Sequence, residues 1–407
     1  QKTAYEISTR DWSSDVCSSD LMDRPLASGA KRHKSFRVHP AILACVLLMA
    51  ISGRGMGSDW PMFRGNPALT GVSDAVVKLP LKLKWTFKTG GPVMSSPAVV
   101  GSNVYVGSAS SNVFCLDLAT GRPRWSAPAS GPVEASPLVL DGRLYVGDVN
   151  TNFHCLDAAT GKAIWTVGFD EKVKSSASWY VPPGSGRKAV LVGSYDFKLY
   201  SLDAATGRTN WAYETGNYIN GSPAVANGMT AFGGCDALVH VLDLASGAKA
   251  REIEAGAPII GSAAIADGRA YLGHYENEFL CVDLKEGKVA WRYRDRAFPY
   301  ATSPAITADR VLFGGRDKRL HCVERASGKG LWTFQTRGKV ESSPVVADGK
   351  VFFGSDDGRL YAVSLADGKE AWQYEIGQPV QSSPAIVPGH VLVGADDGSL
   401  YCFGPAE

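Results

Sequence analysis

The stretch SPLVLDGRLYVGDVNTNFHCLDAATGKAIWTV, residues 136–167, decides the fold, because it holds every strand and turn signal of a unit that the rest of the chain repeats. Ser136 to Leu140 is an apolar, β-branched run, Asp141-Gly142 turns the chain, and Arg143 to Val146 returns, which is the strongest short-range hairpin signal a sequence carries. Gly147 to Asn152 makes a second turn and Phe153 to Asp157 a third strand. Ala158-Ala159-Thr160-Gly161 turns the chain again, and Ala163 to Val167 is a fourth strand carrying Trp165. Four antiparallel strands in about forty residues make one propeller blade.

Outward from this unit, two beats run through the chain in phase. Trp85, Trp125, Trp165, Trp211, Trp291, Trp332 and Trp372 recur at one offset. Ser96-Pro97, Ser136-Pro137, Ser222-Pro223, Ser303-Pro304, Ser343-Pro344 and Ser383-Pro384 recur at another, with Ser176-Ala177 and Ser262-Ala263 filling the gaps, which makes eight copies. Strands such as Leu144-Tyr145-Val146 and Val391-Leu392-Val393 are apolar on both faces and need cover on both, as blades stacked round an axis provide. The eighth copy stops at Phe403 without its tryptophan strand, while a spare one, Leu81 to Thr89, precedes the first. The expected fold is therefore all-β: an eight-bladed propeller of four-stranded antiparallel blades, closed by pairing the N-terminal strand with the C-terminal blade, so that no edge is left open.

The composition agrees with one large repeat domain over residues 58–407 of the 407. Apolar residues make up 45%, and 45 glycines with 22 prolines supply turns for short strands. A net charge of +2 with no basic stripe gives no reason to expect a nucleic-acid partner. Cys115, Cys155, Cys281, Cys322 and Cys402 fill one equivalent slot in five copies. A whole blade separates such slots, farther than the roughly 7 Å that a disulfide tolerates between Cα atoms, so they read as small buried thiols. Cys235 occupies a turn-like slot of its own.

Ahead of the repeats, residues 1–21 fit nothing in the pattern and resemble translated adapter sequence, the other reading being a native extension. Residues 22–57 have the layout of a secretory signal: Lys31, Arg32, Lys34 and Arg37, then a largely apolar run from Ala41 to Ile51, then small residues. That run is shorter than the roughly twenty residues of a membrane-spanning helix, so no stable span is expected and the location reads as periplasmic or secreted. Cys45 after Ile42-Leu43-Ala44 is a poor lipidation site.

Cys155 to Trp165 resembles the tryptophan-docking motif of the pyrroloquinoline-quinone-like propeller repeat, and Trp60-Pro61-Met62-Phe63-Arg64-Gly65 is similar to the lead-in of many secreted members. The resemblance spans residues 60–407. It implies eight blades girdled by the seven tryptophans, each docked on the neighbouring blade. Arg251 replaces the tryptophan in the fourth copy, Glu324 the turn aspartate in the sixth and Ser364 that in the seventh, which implies a weaker girdle between blades 4 and 5.

Candidate chemistry is sparse. The aspartates of Asp-x-x-Thr-Gly, as at Asp117, Asp157 and Asp203, bond their own turns, and so do Asp356-Asp357-Gly358 and Asp396-Asp397-Gly398. His154, His240 and His321 share a slot that holds Phe114, Tyr200, Leu280, Tyr361 or Tyr401 in other copies, which reads as packing rather than a shared metal. No His-Glu-x-x-His, Gly-x-Ser-x-Gly or phosphate-binding glycine loop occurs, so catalytic and metal residues are expected to be none. Two residues ahead of the serine beat the copies differ: Met94, Glu134, Lys174, Asn220, Ile260, Ala301, Glu341 and Gln381. These should ring one mouth of the axial channel, either as a solvated rim or as a binding surface. Copies 3 to 6 add loop aromatics and cations, Trp179, Tyr180, Tyr195, Phe197, Tyr218, His274, Tyr275, Phe298, Tyr300 and Arg316, a composition typical of interaction hot spots.

Together these imply a noncatalytic extracytoplasmic scaffold with a protein partner in the cell envelope, working as a monomer. Within the resembled family the chain looks most like the outer-membrane assembly propellers. Two other readings remain: a quinoprotein dehydrogenase holding its quinone with calcium on the axis, against which stands the lack of any adjacent cysteine pair, and a carbohydrate or small-ligand sensor. The expected cofactor is none.

Overall fold

The computed structural model describes residues 59–406, so the readings for residues 1–21, for 22–57 and for Cys45 lie outside the described residues. From Trp60 on, the chain forms eight antiparallel sheets of four strands, one of them extended to five by Val72–Ser73. Blade 2 shows the construction: Leu138–Leu140 lines the axis, then Arg143–Gly147, Asn152–Asp157 and Ala163–Gly168 step outward. The middle strands are apolar on both faces and buried on both, with Leu144 0% and Tyr145 1% exposed. The outermost strand meets water, so its residues alternate between exposed and half-buried.

Closure follows the expected route. Leu81–Lys88 pairs antiparallel with Ser399–Pro405 and completes blade 8 beside His390–Gly394 and Ala385–Val387. The tryptophan girdle has one repeated geometry. Trp125 Nε1 donates to the Ala158 carbonyl at 3.0 Å while its ring lies on Gly161, where a Cβ would sit 2.6 Å from the indole. Gly161 also has φ +73°, so the turn needs glycine twice over. Trp85 docks likewise on the Leu118 carbonyl at 2.8 Å, and Trp372 on Leu81 at 3.1 Å, which carries the girdle across the seam between the chain's ends. At the joint between blades 4 and 5, Arg251 lies over Gly287 and spends a guanidinium N–H on its neighbour's Ala250 carbonyl. No docking bond crosses there from an indole, the local weakness that the sequence implied.

The serine beat has a role that its spacing did not reveal. Ser96 N–H donates to Ser136 Oγ at 3.0 Å, and the bond then repeats from Ser136 to Ser176, Ser222, Ser262, Ser303, Ser343 and Ser383. Ser383 N–H donates back to Ser96 Oγ at 2.9 Å. Eight bonds thus form a closed belt around the axis, each satisfying a buried amide at the start of an inner strand.

One end of the channel is sealed by the lead-in. Trp60 bridges Val99 of blade 1, Pro61 accepts from Val139 of blade 2, and Pro67, Ala68, Thr70 and Gly71 accept from Val225, Ile265, Ile306 and Val346 of blades 4 to 7. Ser73 Oγ then donates to Ile386 of blade 8 at 2.9 Å. Met62 and Leu69 are fully buried in this plug. At its heart Arg64, 1% exposed, donates to the carbonyls of Ser343 at 3.1 Å and Pro304 at 2.9 Å, and to Pro344. Burial pulls its pKa down to about 9, so it stays a cation at neutral pH, held by peptide dipoles.

Candidate functional site

Each blade's inner strand starts at the end opposite the plug. The turn between its second and third strands lies at that same end by antiparallel alternation. Main-chain bonds lock the two together: Val149 N–H donates to Pro132, Tyr195 to Lys172, Tyr275 to Pro258 and Arg316 to Pro299. Sixteen loops of two kinds therefore frame one open mouth, and the eight rim positions stand half-buried around it.

Their side chains pair with neighbours. Glu134 meets Lys174 across blades 2 and 3 at 3.2 Å, and burial pushes the Glu134 carboxyl upward against the pull of that lysine. Arg316 Nε meets Glu341 at 2.7 Å across blades 6 and 7. Tyr195 donates to Asn220 Oδ1, while the Asn220 amide donates to Cys235 Sγ at 3.0 Å. Lys172 lies 5.0 Å and Lys174 5.9 Å from the Tyr195 ring, a cation–π arrangement.

Two residues at this mouth were read from sequence as turn locks and are not. Asp357 and Asp397 do lock their turns, accepting from Arg359 N–H at 3.2 Å and Ser399 N–H at 2.9 Å. Their neighbours Asp356 and Asp396 are turned elsewhere: Asp356 Oδ1 meets the rim residue Gln381 at 3.5 Å. Burial lifts both carboxyls to about 6, helped at Asp356 by Glu341 and at Asp396 by Asp397. The tandem Asp-Asp-Gly was the available signal, since one aspartate suffices for a turn.

The histidine slot is a packing slot with a partner. His154 Nε2 bonds Asp148 at 2.8 Å, His240 bonds Asp236 at 2.9 Å, and Tyr200, Tyr361 and Tyr401 do the same with Asp196, Asp357 and Asp397 at 2.7, 2.8 and 2.7 Å. In six of the eight copies the slot thus holds a ring that bonds the turn carboxylate, His321 with Asp317 at 3.2 Å included, while Phe114 and Leu280 fill it by packing alone.

The aromatic arc splits. Tyr180 at 6%, Tyr195 at 3%, His274 at 2% and Tyr300 at 1% exposure are interior groups, contrary to the expectation of exposed loop rings. Tyr300 packs edge-on to Phe313 and His321, and Tyr180 donates to or accepts from Ser201 Oγ at 2.8 Å. Trp179 and Tyr180 also belong to an inner strand, Ser178–Tyr180, rather than to a loop. Phe197, Tyr218, Tyr275 and Arg316 stay half-buried beside the mouth, with Tyr218 stacked on Tyr195 at 4.9 Å and Arg316 5.6 Å from the Tyr275 ring. Phe298 alone of the ten is largely exposed, at 46%.

The class is thus an eight-bladed propeller whose blades dock through tryptophan, sealed at one mouth and polar at the other. The family model described as outer membrane protein assembly factor BamB matches residues 82–167, 150–294, 216–315 and 300–407, and the chain belongs to this family. Among solved structures it is similar to BamB from Moraxella catarrhalis, at 19% identity and a TM-score of 0.67 over 80% of this chain and 98% of that one. It is also similar to a europium-containing methanol dehydrogenase, at 16% identity and 0.68 over 86% and 98%, and to the computationally designed Ika8 protein, at 14% and 0.70 over 78% and 97%. At these identities the likenesses speak for the fold alone. No curated protein sequence matches the chain.

Proposed function

We propose that this chain is a noncatalytic protein-interaction scaffold of the cell envelope, periplasmic or secreted, serving outer-membrane protein assembly through its open mouth. The observation that carries the reading is the paired rim. Glu134 with Lys174 and Glu341 with Arg316 are matched across blade boundaries, which leaves a preformed, mixed-charge surface edged by Phe197, Tyr275 and Phe298. Such a surface suits a partner with a polar rim and a few aromatic anchors. Membership of the assembly-factor family supports the same direction.

A quinone with calcium would need these acidic and amide groups for itself. Glu134 faces a lysine, Glu341 an arginine, and both ends of the Asn220 amide are engaged, so this donor set does not fit that group and no chemistry is assigned to it.

The test is capture from envelope extract with the wild type and with Phe298→Asp combined with Glu341→Lys. A partner retained by the wild type and lost by the variant, with Tm moved by only a few degrees, is the expected result. Equal capture by both would place recognition elsewhere. Stoichiometric binding of the quinone with calcium, together with dye-linked alcohol oxidation, would overturn the noncatalytic reading.

A further inference from the structure

Internal repetition makes the blades controls for one another, and the turn carboxylate of blade 6 departs from its equivalents. In blade 2, Asp148 Oδ2 takes both His154 Nε2 at 2.8 Å and the Ser130 amide of the preceding blade's loop at 3.0 Å. In blade 4, Asp236 Oδ2 takes His240 at 2.9 Å and the Gly216 amide at 3.1 Å. Asp357 Oδ2 of blade 7 takes Tyr361 at 2.8 Å and the Arg337 amide at 2.9 Å. In blade 6 the side chain of Asp317 is 0% exposed, its Oδ1 meets His321 Nε2 at 3.2 Å, and its Oδ2 has no hydrogen-bond partner.

The preceding loop brings a second carboxylate, Asp295, to the place where blades 2, 4 and 7 bring an amide. Donor atoms of Asp295, Asp317 and His321 all lie within 4.8 Å of one another. A buried carboxylate oxygen without a hydrogen-bond partner, close to a second carboxylate, is costly, and a cation between the two removes that cost. The surroundings favour a metal over a side-chain cation. Arg319 reaches Asp295 Oδ2 at 3.3 Å from the solvent side, while Asp317 Oδ2 stays beyond its bonds. Tyr293 Oη lies 3.1 Å from His321 Nδ1, fixing the ring with Nε2 toward the two carboxylates, the outer-shell support that ligating imidazoles use. Gly315 clears the space: a Cβ there would stand 2.5 Å from Asp317 Oδ1 and 3.2 Å from His321 Nε2.

We propose that Asp295, Asp317 and His321 form a site for a divalent first-row transition-metal ion, with zinc the natural occupant. Two carboxylate oxygens and one imidazole nitrogen suit such an ion, at bond lengths of about 2.0–2.2 Å, and leave a fourth position for water on the exposed Asp295 side. The ion ties the loop carrying Phe298 to blade 6, well off the axis. The site is independent of the scaffold reading, since it concerns the loop's anchoring and not what the mouth binds.

The test is a titration of the full-length protein, stripped with chelator, with zinc in competition with a chromogenic chelator, and with cobalt as a spectroscopic probe. One equivalent of zinc, the visible absorption of low-coordinate cobalt, and a loss of about a hundredfold in affinity in Asp295→Asn are expected, the last being what losing a ligand should cost at least. Asp317→Asn should behave alike, and Asp236→Asn, the blade 4 equivalent, should bind zinc as the wild type does. Should Asp317→Asn fail to fold, the exposed Asp295 variant decides alone. Failure of the wild type to bind one equivalent, or affinity kept in Asp295→Asn, overturns the proposal.

Discussion

The two mouths of the axial channel are framed by the same eight inner strands and solve opposite problems. At the sealed mouth, main chain meets main chain: the lead-in crosses blade after blade through peptide hydrogen bonds, and even its one charge, Arg64, donates from its two terminal nitrogens to three carbonyls. Such contacts ask little of the blades' side chains, so the seal is a structural device. At the open mouth, side chain meets side chain in pairs that differ at each boundary, such as Lys174 with Glu134 and Arg316 with Glu341. Repetition makes the frame uniform, and only departures from it can carry recognition.

The sealed mouth is most vulnerable at Arg64. Arg64→Ala leaves three buried carbonyls without their donor and a hole in the plug, and should lower stability by about 4 kcal/mol in denaturant unfolding. Partner capture per folded molecule should be unchanged, because the open mouth is untouched. Loss of capture without loss of stability would reverse the roles of the two ends.

Within the open face, Tyr300→Ala should cost about 3 kcal/mol, since its buried ring packs against Phe313 and His321. Phe298→Ala, two residues away and 46% exposed, should move stability by less than about 0.5 kcal/mol. Thermal melts of the two variants separate packing aromatics from available ones.

Between the mouths, Ser222→Ala opens the belt by leaving the buried Ser176 amide without its acceptor, for a loss of about 1–2 kcal/mol. Hydrogen exchange should then quicken at the Ser176 amide and not at the docking turns.

The smallest effect is electrostatic. Asp356 and Asp396 have carboxyls lifted to about 6 from an ordinary 3.8, so the folded protein binds protons more tightly than the unfolded chain. Stability is then greater at acid pH and falls as pH rises from about 4 through about 6. Asp356→Asn should flatten that fall and gain about 1 kcal/mol at pH 7, less than the full shift would give because water still reaches part of the carboxyl. A pH series of melts on the two proteins checks the sign.

Much of this was legible in the chain. The tryptophan and serine beats, the Asp-Gly turns and the spare strand with Trp85 are local or strictly periodic signals, and they specified eight blades and the closure of the ring. Arg251 announced the weak joint by breaking a beat. What stayed hidden depends on neighbours brought together from different strands or different blades. The serine of Ser-Pro was legible as a beat but not as an acceptor, because the amide it serves lies one blade over. Tyr300 looked exposed because turn residues usually are, and the rings that cover it, Tyr293, Phe313 and His321, come from strands on both sides of its loop. Asp295 sits in one repeat and Asp317 in the next, so no spacing rule joins them.

Of the two mouths, the open one is proposed as the working face. Its most direct test places a photocrosslinking amino acid at Phe298 on the open face and, separately, at Val76, which follows the sealing segment and is 60% exposed. In envelope extract, the account predicts a discrete protein adduct from position 298, suppressed by Glu341→Lys, and none from position 76. An adduct from position 76 alone, or one from 298 indifferent to the rim charge, would contradict it.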